Sequence, residues 1–181
     1  MKIDLHTHTK KCKSGDAPTR EIAAADFCQT ITATEVGVIA ITNHNVFDLS
    51  QFNEILGGLS DGVQVWPGIE IDVVESGVRG HVLVIVSPSR AVEFSQVVEK
   101  ITEGSTPDDF TTTIEDVLNN FEAFKPIYVA HYKQKTPNIS DEALEILIHG
   151  TASPGRVIKE VYQFDFRRYL HLPWIRIYLR F

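Results

Sequence analysis

Sulfur is scarce in this sequence: two cysteines, Cys12 and Cys28, and one methionine. Two thiols placed this close in sequence cannot build a disulfide framework, so a reducing, cytoplasmic setting is the expectation. Long apolar runs are also missing, which argues against a membrane span. The first residues, Met1-Lys2-Ile3-Asp4, place an acid where a signal peptide needs its apolar stretch. Positive charge is in short supply too: 17 Lys and Arg stand against 24 Asp and Glu, a net charge of −7. That balance disfavours broad electrostatic attraction to nucleic acid or to an anionic membrane.

What is present is an alternation of short β-rich runs and amphipathic stretches, the pattern of an α/β domain with parallel strands. The spacing predicts strands over 2–5, 36–42, 63–74, 81–86, 126–130 and 156–162. Helices are predicted over 18–34, 49–56, 91–103, 107–121 and 141–149. For the fourth helix, Thr106 reads as the N-cap and Pro107 as the first helical residue. The fifth opens on Ser140 and stops at Gly150. Gly77, in Glu75-Ser76-Gly77-Val78, reads as a turn joining the third and fourth strands as a hairpin. At 181 residues the chain suits one domain. We place it at 1–165, followed by an atypical tail at 166–181 with four arginines and no acid.

Histidines fall where these strands end. His6 and His8 are two apart, which points both side chains to one face of a strand. His44 follows Val38-Ile39-Ala40-Ile41-Thr42, Glu70 follows Trp66-Pro67-Gly68-Ile69, and His131 ends Ile127-Tyr128-Val129-Ala130. His81 opens its run instead, which fits a strand returning antiparallel from the Gly77 turn to the same mouth. Each histidine singly is better explained as a hydrogen-bonded structural residue. Five at strand ends with one carboxylate point jointly to a metal site, since imidazole serves zinc and iron, and manganese when carboxylates join.

Asp4-Leu5-His6-Thr7-His8-Thr9, Ile41-Thr42-Asn43-His44-Asn45, Pro67-Gly68-Ile69-Glu70, Gly80-His81-Val82-Leu83 and Ala130-His131 resemble, in order, the motifs of the PHP (polymerase and histidinol phosphatase) family. Lys159-Glu160-Val161-Tyr162 resembles the strand that follows. The resemblance implies an irregular seven-stranded, TIM-like β/α barrel with two to three divalent ions (Zn, Mn or Fe) at its mouth, acting as a metal-dependent phosphoesterase. It implies His6 and His8 on a first ion, Glu70 bridging to a second completed by His81 and His131, and His44 on a third with Asp16. Catalysis would rest on Glu70, His44 and His131. Such a substrate is a phosphorylated small molecule or a nucleotide or nucleic-acid end. Asn43 stands where many members carry Asp, Asp72 reads as a supporting or exposed acid, and Lys133 and Lys135 as candidate phosphate contacts. Lys10-Lys11-Cys12-Lys13-Ser14-Gly15-Asp16-Ala17-Pro18 resembles members fused ahead of an AAA-type ATPase.

One family feature is missing. The closing Asp-x-His motif does not occur after His131; His149 sits at a predicted helix end, and His171 has Tyr169 two residues before it. We therefore expect a barrel lacking its closing strand, a chain cut short, weakened hydrolysis and self-association through open edges. The rival reading is a catalytically impaired, metal-binding regulatory module of a larger ATPase- or nuclease-linked protein. An amidohydrolase also opens on His-x-His, but calls for a metal-bridging lysine and a final Asp, neither of which is seen.

Overall fold

The computed structural model describes residues 2–132 and 137–160. Six strands form one sheet in sequence order: β1 (Lys2–Thr7), β2 (Val36–Ile41), β3 (Gln64–Glu75), β4 (Val78–Ile85), β5 (Ile127–His131) and β6 (Val157–Glu160). β1, β2 and β3 pair in parallel, β4 is antiparallel to both β3 and β5, and β5 is parallel to β6. The result is a curled half-barrel. A seventh strand is not among the described residues, and the predicted tail at 166–181 lies outside them, as do Lys133, Lys135 and His171.

The hairpin at Gly77 is present. Ser76 and Gly77 have φ of 48° and 79°, and two successive positive φ values make the tight turn whose twist matches paired strands. Glycine suits the second position because it pays no Cβ penalty there. This hairpin is what brings His81 back to the level of Asp72, its register partner.

Among the described residues, five α-helices cover the outer face: α1 (Ala24–Thr32), α2 (Leu49–Gly58), α3 (Ala91–Ile101), α4 (Ile114–Phe121) and α5 (Asp141–Gly150). They bury Phe27, Ile55, Phe94, Phe121 and Leu147 against outward residues of the sheet such as Ile39, Ile71, Val84 and Tyr128. Each such side chain contributes about 1.5–3 kcal/mol through removal from water. The inner face holds a smaller cluster of Leu5, Ala40, Leu83, Ile85 and Val129. Strand alternation above that plug turns the next inward residues, Glu70, His81 and His131, toward the mouth.

Two predicted helices are shorter than expected. The first predicted stretch is a single 3-10 turn at Pro18–Arg20 followed by α1. The fourth starts at Ile114, with Thr113 rather than Thr106 as its cap; the Thr113 side chain accepts from Asp116 N–H. Residues 107–109 form a turn instead. The reason is tertiary. β3 draws the chain out beside itself, because Thr112 N–H donates to Asp72 O at 3.1 Å and Val74 N–H donates to Thr112 O at 2.8 Å. The β-branched run Thr111-Thr112-Thr113 yields easily to that pull. The fifth helix agrees with expectation: the Ser140 side chain accepts from Ala143 N–H.

Candidate metal centre

Glu70, on the inner face of β3, is 2% exposed. Its backbone is tied to the loop after β2, with Glu70 N–H donating to Asn43 O at 3.0 Å and Asn45 N–H donating to Glu70 O at 2.8 Å. That fixes His44 beside it. A register irregularity in β1 between Asp4 and Thr7 lets Leu5 join the inner cluster while His6, the next residue, also reaches the mouth. A bulge of this kind re-aims side chains that simple alternation would send outward. His8 lies one residue past β1. The loop carrying it is clamped by Asn43, whose amide oxygen accepts from Thr9 N–H at 2.8 Å and Lys10 N–H at 3.1 Å. The Asn43 amide also donates to Thr9 Oγ1, which an ionised carboxylate could not do.

All five predicted histidines then converge on one carboxylate. Glu70 Oε2 stands 3.2 Å from His6 Nε2, His8 Nε2 and His44 Nδ1. Glu70 Oε1 stands 2.5 Å from His81 Nδ1 and 3.5 Å from His131 Nδ1. The imidazoles form a closed ring, with neighbouring centroids 5.0, 4.7, 5.2, 5.6 and 4.8 Å apart in the order His6, His8, His44, His81, His131.

The outward nitrogens meet a second tier of acids. His6 Nδ1 and His131 Nε2 stand 3.4 and 3.1 Å from Glu160 Oε2. His81 Nε2 is 3.1 Å from Asp72 Oδ1, and His44 Nε2 is 3.4 Å from Asp16 Oδ1. Asp16, Asp72 and Glu160 are all buried. Sequence reasoning missed Glu160; its signal was an acid ending a strand, opposite His131 in parallel register. Asp72, read as supporting or exposed, is fully buried and belongs to this tier. Asp16 does reach His44, but its other contacts lie in its own loop: Oδ2 accepts from Cys12 and Lys13 N–H, and Oδ1 accepts from Arg20. His149 is exposed on α5, paired with Glu145, and takes no part. Cys12 is a free, half-buried thiol whose pKa burial and Asp16 push up to about 11, so it is not a reactive thiolate.

Charge is divided unevenly around the ring. Burial disfavours a charged His6, but Glu160 and Glu70 outweigh it and raise its pKa to about 10. His81 is raised likewise, burial being overcome by Asp72 and Glu70. Burial lowers His8, and it takes His44 down to about 3. Burial opposes ionisation of Glu70 and Glu160, yet the imidazoles hold Glu70 well below its ordinary value and Glu160 down to about 2.

This donor set fits divalent ions. Three imidazole nitrogens crowd Glu70 Oε2, more than its lone pairs accommodate. Among the described residues, buried His8 Nδ1 has no hydrogen-bond partner. Imidazoles that bind metal through one nitrogen and face a carboxylate with the other are the usual arrangement of a metal-ligating histidine. Ligand atoms of His6, His8 and Glu70, and those of Glu70, His81 and His131, lie within 4.8 Å of one another.

No protein-family profile matches the chain, and no curated protein matches it. Among solved structures, it resembles a protein from Bifidobacterium adolescentis provisionally assigned as a metal-dependent phosphoesterase: 13% identity, TM-score 0.54, covering 82% of this chain and 74% of that one. It also resembles an amidohydrolase from Chromobacterium violaceum bound to sulfate without metal: 13% identity, TM-score 0.50, covering 87% and 75%. Endonuclease Q bound to a duplex with an abasic lesion aligns at 14% identity and TM-score 0.48, over 76% of this chain and 35% of that one. The expectation of a fused ATPase finds no support in these comparisons. At such identities the likeness to the first two is one of fold, and the curled six-strand sheet is consistent with a partial TIM-like barrel.

Proposed function

We propose that this chain is a metal-dependent phosphoesterase of the PHP type. The observation that carries the reading is the closed ring of five imidazoles around buried Glu70. His6, His8 and Glu70 would hold one divalent ion, and Glu70, His81 and His131 a second, with His44 completing the ring. The mixed imidazole and carboxylate set suits zinc, iron or manganese. When bound, close divalent ions polarise phosphoryl oxygens, lower the pKa of a water and steady the leaving oxygen.

The chain's own residues supply position. Glu70 sets the spacing of the two ligand sets, and Glu160, Asp72 and Asp16 orient the imidazoles from behind. A cleft of about 380 Å³ opens onto His44 and His81, with Lys13, Ser14 and Arg79 on its wall. The Arg79 side chain is 47% exposed, so its guanidinium is within reach of an anionic substrate, for which its planar fork is suited. The substrate class this favours is a phosphorylated small molecule or a nucleotide or nucleic-acid end. An amidohydrolase reading is weaker, because the centre of the ring is a carboxylate where that class uses a bridging lysine.

The test is hydrolysis of p-nitrophenyl phosphate and its diester by the purified chain with manganese or zinc. We expect chelator-sensitive turnover that Glu70→Gln abolishes. Tight metal binding without turnover of any phosphoester would favour the regulatory-module reading. Absence of both would defeat the metal centre.

A further inference from the structure

Asp72 lies two residues beyond Glu70 on β3, and its side chain is 0% exposed. Its ligand atoms and those of His44 and His81 lie within 4.8 Å of one another, which is the composition of a third cation position beside the two Glu70 sets, with Asp72 in place of the Asp16 that the family resemblance implies. The carboxylate of that group already meets a cation. Lys13 Nζ meets Asp72 Oδ1 at 2.5 Å and Oδ2 at 2.6 Å. Arg79 donates to Oδ2 from Nε at 3.1 Å and also from Nη2. With His81 Nε2 at 3.1 Å from Oδ1, these contacts saturate the roughly four lone-pair sites of a carboxylate.

The lysine is delivered there by a built loop. Asp16 accepts from the N–H groups of Cys12 and Lys13 at 3.0 and 2.9 Å, and from Arg20 at 2.7 Å. Ser14 is fastened to Asp108 through its N–H and its hydroxyl. The Lys13 side chain is consequently 13% exposed, although a lysine in a polar loop ordinarily extends into water.

We propose that the Lys13 ammonium, seconded by Arg79, is the resident cation of the third position, so that the centre takes two divalent ions rather than three. The proposal rests on the metal-centre reading above. An ammonium and a divalent ion cannot share the Asp72 carboxylate, because both need the same oxygens and repel each other at close range in a site shielded from water. Asp16 then serves as a positioning residue for the lysine, and His44 and His81 face the Glu70 ions alone.

The experiment is a metal count. The full chain is loaded with excess manganese or zinc, freed of unbound metal by gel filtration, and measured by elemental analysis. We expect two ions per chain for the unaltered protein, three for Lys13→Met, and two for Lys13→Arg, which keeps a cation in place. Three ions in the unaltered chain, a result that needs no variant, would overturn the proposal. So would two in Lys13→Met with an unchanged circular dichroism spectrum. No bound metal in the unaltered chain would instead overturn the metal centre itself, so the two failures are distinguishable.

Discussion

Glu70 and Asp72 are neighbours on the same face of β3 and both are buried, yet the molecule treats their charges differently. Glu70 is ringed by five imidazoles, some of them held neutral by burial. Asp72 is met by a lysine and an arginine of the chain itself. A buried carboxylate must be compensated, and there are two ways to do it: accept a cation from solution, or carry one in the chain. The first leaves a site that can be loaded and emptied. The second leaves a permanent brace.

That contrast predicts what each substitution breaks. The largest effect is expected from Glu70→Gln, which removes the carboxylate common to both ligand sets. Metal affinity should fall by more than about 100-fold, the upper end seen when only a supporting partner is lost. A competition titration against a chelator measures it, and undiminished affinity would place the ions elsewhere. Asp72→Asn should act on stability instead. It strands Lys13 and Arg79 beside a neutral amide, at a cost of about 3 kcal/mol, read as a lower urea midpoint in the metal-free protein. An unchanged midpoint would show that Asp72 braces nothing.

Glu160→Gln falls between these two in kind. His6 and His131 would keep their inward nitrogens and lose the acid behind them, so metal binding should weaken about 10- to 100-fold while the metal-free fold survives. Full metal affinity in that variant would remove Glu160 from the site. The smallest effect is expected at Asp48, whose contacts are with Lys10 and Gln51 rather than with either carboxylate. This residue caps α2 and pairs with Lys10 at 2.5 Å. Lys10 and the Gln51 backbone N–H hold its carboxyl below the ordinary value. A depressed folded pKa contributes stability that is present above the unfolded pKa of about 4 and lost as pH falls through the folded one. Asp48→Asn should therefore cost about 0.5 kcal/mol near neutrality, and the difference from the unaltered chain should vanish in acid. A gap that widens in acid would contradict the assignment.

The inner ring was legible in the sequence in part because His6, His8, His44 and His131 sit at or just past strand ends, which converge. Glu70 and His81 lie within β3 and β4 rather than at their ends, but the Gly77 turn that pairs those strands was legible too. The outer tier was not. Glu160 matters because β6 lies in register with β5, and Lys13 meets Asp72 from 59 positions away along the chain; neither pairing leaves a local trace. The helix expected from Thr106 failed in the opposite way. Its local signals were sound, but β3 claimed the backbone of Thr112 and shortened it.

The curl of the sheet has a mechanical side. Among the described residues, β1 and β6 are the outermost strands of the six and are not paired with each other, yet His6 of the one stands 3.4 Å from Glu160 of the other. The mouth is therefore a clasp, and two cations, one held by His6 of β1 and one by His131 of the adjoining β5, both on Glu70, would fasten both ends of an open collar at once. Emptying it should loosen the collar from its ends inward. Backbone amides of β1 and β6 would begin to exchange with solvent while those of the β3–β4 hairpin, at the middle of the band, stay protected.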